Sequence, residues 1–173
     1  MPCFGLPLGA RASPPMRVRP YRRSDLPKLH QIDQTCFPPG ISYSRDELGR
    51  FIHMKNARTW VAEEQGEIAG FVVADLQPHG VAHIITVDVV EGRRRIGIGG
   101  ALMEAAESWA RRERSRLLYL ETAEDNLAAQ EFYEARDYTK VEHIPDYYSP
   151  GQAAWVMVKW LGSEPEGWSR RAR

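Results

Sequence analysis

The densest chemistry in this chain lies in the run VVEGRRRIGIGGAL, residues 89–102, where a strand-like segment enters four glycines and three arginines and leaves as a helical pattern. Gly97, Gly99 and Gly100 let the main chain approach an anion closely, and the first turn of the following helix offers unpaired N–H groups and a favourable dipole. Arg93, Arg94 and Arg95 add positive charge beside those amides. This is a phosphate-binding arrangement. Two other uses remain open at this point. One is a tight turn rimmed by solvated arginines. The other is a dinucleotide fold, because Glu121 lies about twenty residues on, where a ribose-binding acid would sit. Against the latter, the third glycine of G-x-G-x-x-G falls on Leu102, and several elements precede the unit. No Gly-Lys-Ser/Thr follows, which excludes a P-loop.

The elements that position this loop can be read from periodicity and breakers. Residues 17–20 predict a short strand. Ser24 is the expected cap of a helix that places Leu26, Leu29 and Ile32 on one face and ends near Phe37 and Pro38-Pro39-Gly40. Ser44 and Glu47 form a capping box for a second helix with Leu48, Phe51 and Ile52. Residues 58–64 and 67–76 predict a hairpin about Gln65-Gly66, and 81–90 a nearly continuous apolar, hence central, strand. A helix over 98–113, a strand LLYLET, a helix opened by Asp125-Asn126, and strands near 137–144 and 153–161 complete the domain. Strand, loop, helix, strand over 81–122 is a right-handed βαβ unit with parallel strands, whereas the flanking hairpins require antiparallel neighbours. The expected class is α/β (α+β): a mixed, mostly antiparallel sheet with helices on both faces. Residues 17–161 form the domain, with tails at 1–16 and 162–173. Met16 is an alternative start.

Arg94-x-x-Gly97-x-Gly99 after a strand resembles the Q/R-x-x-G-x-G/A signature of the GNAT acetyltransferase superfamily. A second block, LYLETAEDNLAAQEFYEARDY, resembles that superfamily's later motif, with Asn126, Ala129, Phe132, Tyr133 and Tyr138 at its marked positions. Asp146-Tyr147-Tyr148 resembles the Asn-Tyr-Tyr hairpin of the RimI-type N-terminal acetyltransferases. Asp137 stands where the family commonly has Gly, Glu91 where many members have Pro, and Ala153 where an acid is frequent.

The resemblance implies that strands 81–90 and 117–122 splay apart and that acetyl-CoA is the cofactor. Its pantetheine arm would lie along Val87 and Val89, and its pyrophosphate on Arg94, Arg95, Ile96, Gly97, Ile98, Gly99 and Gly100. Asn126 and Tyr133 would lie near the sulfur. It also implies direct attack by a primary amine in a ternary complex, with Glu121 as base through a water and Tyr133 as acid to the departing sulfur. An α-amino group with pKa near 8 is roughly 10% neutral at pH 7, a lysine only about 0.04%, a handicap of about 3 kcal/mol. A protein or peptide α-amine is the expected acceptor, met by Phe37, Tyr43, Tyr147 and Tyr148. The alternatives are a lysine side chain, a small amine such as a polyamine or aminoglycoside, or a non-catalytic acyl-CoA binding module. His83, on the central strand, reads as a satisfied sheet residue rather than a base.

Bulk properties narrow the field. Lys+Arg and Asp+Glu balance at 23 each, so charge gives no argument for nucleic-acid or membrane partners. Cys3 and Cys36 are the two cysteines, too few for a disulfide framework, and the histidines fall at no metal spacing. A cytoplasmic monomer or homodimer is expected.

Overall fold

The computed structural model describes residues 16–163. Most of both expected tails lies outside these residues. Seven strands form one sheet: β1 (Arg17–Pro20), β2 (Ala57–Glu64), β3 (Glu67–Gln77), β4 (Val81–Val89), β5 (Leu117–Ala123), β6 (Thr139–Ser149) and β7 (Gln152–Trp160), in the order β1-β2-β3-β4-β5-β7-β6. Only β4 and β5 are parallel; every other neighbouring pair is antiparallel. The helices are α1 (Leu26–Cys36), α2 (Arg45–Ile52), α3 (Ile98–Arg112) and α4 (Leu127–Glu134).

Both faces are covered, as the apolar patterns require. Leu29 and Ile32 of α1 and Leu48 and Ile52 of α2 pack on Val61, Phe71 and Val73. On the opposite face Ile98, Leu102, Met103 and Ala106 of α3, with Tyr133 of α4, pack on Val72, Ala74, Ile84, Leu118 and Leu120. The capping box forms as read, with Glu47 N–H donating to Ser44 Oγ and Ser44 N–H to Glu47 Oε2. The Gln65-Gly66 turn takes positive φ at both residues, 54° and 82°, as a tight two-residue hairpin needs. Asp137, in place of the family's glycine, also adopts positive φ, 69°.

The expected cap at Ser24 is not what opens the first helix. Residues 23–25 form a 3₁₀ turn, and α1 starts only at Leu26. Asp25 decides the local geometry: its carboxylate accepts from Arg22 N–H at 2.7 Å and pairs with Arg19 at 2.8 Å.

One irregularity in β4 shapes the rest. Val73 of β3 pairs with Thr86 but Ala74 with Ile84, so Ile85 is an extra residue, a β-bulge. Ala82, Ile84, Val87 and Val89 consequently face α3, while Ile85 and Val90 face α1 and α2.

Candidate active site

β4 and β5 are in register only at Val81–Leu117, Ala82–Leu118 and His83–Tyr119. Beyond that point they diverge, and a cavity of about 400 Å³ opens between them. Its walls include Ile84–Val87 of β4, Leu120–Ala123 of β5, Asn126, Ala129 and Tyr133 from the α4 region, and Cys36, Phe37, Pro38, Ile41 and Tyr43 after α1.

At one end lies the glycine loop. Ala101 is the first α3 residue whose N–H finds a carbonyl in its own helix, Gly97 O at 3.0 Å, so the amides of Ile98, Gly99 and Gly100 have no intrahelical acceptor. Arg95 and Gly97 adopt positive φ, 63° and 93°, which turns the loop before the helix. A Cβ at Gly99 would stand 3.3 Å from the Phe132 ring. The three arginines do not act alike. Arg93 is turned away into an ion pair with Glu64 of β2, Arg94 Nε donates to Val89 O at 3.0 Å, and Arg95 is exposed. The expected triple positive charge at the loop is therefore reduced by Arg93.

Val90 N–H donates to Ala69 O of β3 at 2.9 Å. By strand alternation the N–H groups of Val87 and Val89 turn instead toward the gap. The carbonyl of Val89 is already used, accepting from Arg94 and, at 3.4 Å, from the Cys36 thiol. Burial pushes the Cys36 thiol up, which suits a packing residue rather than a nucleophile.

At the other end Glu121 does not stand alone. His83 Nε2 lies 2.7 Å from Glu121 Oε2. With a carboxylate opposite, Nε2 is the donor. His83 also stacks on Tyr119, ring centroids 4.3 Å apart and 8° from parallel. Its reading as a satisfied sheet residue captures half of this: it is satisfied, but by the carboxylate at the mouth of the gap. The sequence carried a signal in that His83 and Glu121 sit on paired parallel strands, but the face of His83 depends on the sheet register. Burial, followed by the charge of the nearby Glu121 carboxylate, pushes the Tyr147 phenol up to about 12.

Tyr133 is buried on α4, with its ring against Phe132 and Tyr138, and it also lines the cavity. Burial, then the field of Asp88, pushes its phenol well above the usual tyrosine range, so it stays protonated. Asn126 lines the cavity too, but its side chain caps α4, accepting from Ala129 N–H at 3.2 Å. Phe37, Tyr43 and Tyr148 line the cavity, whereas Tyr147, 42% exposed, does not. The cavity thus holds Glu121, with His83 bonded to it, and Tyr133, while the glycine loop follows β4 outside its lining; this suits an elongated phosphorylated donor meeting a protonated acceptor.

Residues 26–138 match the model of the acetyltransferase (GNAT) family. The chain belongs to that family. An N-alpha-acetyltransferase of Saccharolobus solfataricus is 32% identical over 157 residues, 82% of this chain and 91% of the relative. The Escherichia coli ribosomal-protein-S18-alanine N-acetyltransferase has the same fold, with TM-score 0.76 at 20% identity over 88% of this chain and 97% of that one. Arabidopsis thaliana NAA60, solved with acetyl-CoA, superposes at TM-score 0.74 and 22% identity over 84% and 98%. The acetyltransferase fold, the enzyme class and acetyl-CoA as acetyl donor are therefore those read from the two sequence motifs. The donor fits this chain on its own terms: free amides at the start of α3, a glycine the Phe132 ring would crowd if it bore a side chain, and unpaired strand amides along the gap.

Proposed function

We propose that this acetyltransferase modifies the α-amino group of a peptide or protein N-terminus. The observation that carries the reading is the His83–Glu121 pair at the mouth of the gap between β4 and β5. Apolar walls from Phe37, Pro38, Ile41, Ile85 and Tyr148 stand beside it. A chain terminus brings its first side chain alongside its amine, and these walls suit an apolar one, whereas a lysine presents only a methylene stem. The names of relatives such as the Saccharolobus N-alpha-acetyltransferase point the same way.

Acetyl-CoA supplies the activated thioester. The amides of residues 95–100, with Arg94 and Arg95, hold its pyrophosphate, and Val87 and Val89 align its arm. Glu121, through a water, takes the proton that makes the acceptor amine nucleophilic, and His83 holds the carboxylate in place and shares that proton. One N–C bond forms as the C–S bond breaks. The Tyr133 hydroxyl holds the proton that the departing sulfur takes up, and burial keeps that hydroxyl protonated until then.

The test is a panel of peptides with free N-termini of varied first residue, matched peptides with blocked N-termini and an internal lysine, and free polyamines. Fastest turnover on free termini with large apolar first residues is expected. Preference for the blocked lysine peptides or for the small amines would overturn the reading.

A further inference from the structure

Asp75 sits near the C-terminal end of β3, buried where an acid has no packing reason to be. It is 6% exposed, and its one hydrogen-bonding side chain among the described residues is Gln77, whose Nε2 donates to Oδ2 at 2.5 Å. No lysine or arginine is among the groups acting on it. A carboxylate buried this way costs stability, and an apolar residue would serve the sheet better. What it does have is a place: Asp75 is the direct strand partner of His83, and His83 is that of Tyr119. Directly opposed residues project from the same face of a sheet. Asp75, His83 and Tyr119 therefore form a row across β3, β4 and β5, and Glu121 lies two residues further along β5 on the same face. The charges communicate, since His83 bears on Asp75 and Asp75 on Tyr119.

We propose that Asp75 is a positioning residue for acetyl transfer: one strand behind His83, its carboxylate stabilises the imidazolium that forms when the His83–Glu121 pair receives the acceptor's proton, and it keeps the ring turned toward Glu121. This rests on the reading of that pair as the base. The proton moves from the acceptor nitrogen to the pair and later to solvent, and Asp75 gains and loses none. The other titratable groups in or facing the row are Tyr119 and Glu121 from β5, Tyr147 and Tyr148 from the β6–β7 hairpin and Tyr43 from the loop after α1. The phenols are uncharged at neutral pH; burial pushes the Asp75 carboxyl up, opposed by His83 and by bonds from Leu76 N–H and Gln77, and it is the second carboxyl group beside the imidazole.

The test is steady-state kinetics of the full chain with acetyl-CoA and an α-amine peptide across the pH range. Asp75→Asn should lower kcat about tenfold and move the acid limb of kcat/KM to lower pH by about half a unit, with KM for acetyl-CoA unchanged. Asp75→Glu should recover much of the loss. In a His83→Gln background the same Asp75→Asn change should have no effect beyond about twofold. An unmoved acid limb, or an equal fractional loss in both backgrounds, would overturn the proposal while leaving the base pair intact. If Asp75→Asn does not fold, Asp75→Ser is measured with the same criteria. A His83→Gln enzyme with full kcat is a different result: the base reading falls, and this inference with it.

Discussion

Replacing Glu121 by Gln isolates the proton transfer from the architecture. The Gln carbonyl can still accept from His83 Nε2, which now lies 2.7 Å from Oε2, so the pair's geometry survives. What is lost is a carboxylate whose side chain is only 16% exposed and so is not exchangeable with bulk water. A positioned base contributes roughly 10²–10⁴-fold, and the lower figure applies to one acting through water. At pH 7 kcat should fall about 100-fold with KM for acetyl-CoA unchanged. The variant must then wait for amine that is already neutral, roughly 10% of an α-amine at pH 7 and about 90% at pH 9. Its activity should recover about tenfold over that span, more steeply than the parent enzyme. Without the base, the preference for an α-amine over a lysine should move toward the ratio of neutral fractions, about 250-fold. Release of the CoA thiol, followed with a disulfide reagent, reads all three quantities. An enzyme within twofold of the parent, or a loss equal at both pH values, would refute the reasoning.

Tyr133→Phe should lower kcat by about tenfold or more while thermal stability and acetyl-CoA affinity, measured by calorimetry, stay close to the parent's, because only a hydroxyl is removed. Gly97→Ala meets no atom within 4 Å, so its penalty comes from the φ of 93° alone, about 1 kcal/mol of stability by thermal melting, together with a raised KM for acetyl-CoA. Asp88 is buried on β4, and burial pushes its carboxyl up to about 8. The native state then holds a proton that the unfolded chain releases near pH 4, so this stabilisation is complete below that value and is lost as pH rises toward about 8. Asp88→Asn should flatten the fall of unfolding free energy between pH 5 and 8, which in the parent is at most ~1.4 kcal/mol per pH unit from this group and is followed by thermal melting. A parent enzyme whose stability rises over that window would contradict the assignment.

Local rules carried much of this molecule. The Ser44–Glu47 box, the Gln65-Gly66 hairpin and the Asn126 cap each depend on residues a few positions apart, and each forms as read. The glycine loop was legible for the same reason, since its amides, its glycines and the helix it opens are contiguous. What escaped were side-chain ion pairs that no helix or turn spacing encodes, one six residues apart and one between a distant strand and the loop. Asp25 is drawn to Arg19, which removes Ser24 from the cap position, and Arg93 is drawn to Glu64, which removes its charge from the loop. His83 escaped for a related reason: strand periodicity gives alternation but not which face is which, and the bulge at Ile85 changes the parity along β4 itself. The contact with Glu121 then needs the register of the parallel pair, which no local pattern encodes.

That single surplus residue in β4 has a consequence for how the two reactants are kept apart. An evenly alternating strand would send the side chains of positions 83, 85, 87 and 89 all to one side. Here the first two look toward the α1 and α2 side, and the last two look toward α3 while their N–H groups turn to the gap. On the function proposed above, one strand thus serves two compartments, each reactant meeting a different stretch of it. Shortening β4 by that residue would leave the sheet possible and the helices in place, yet turn one compartment's lining into the other's.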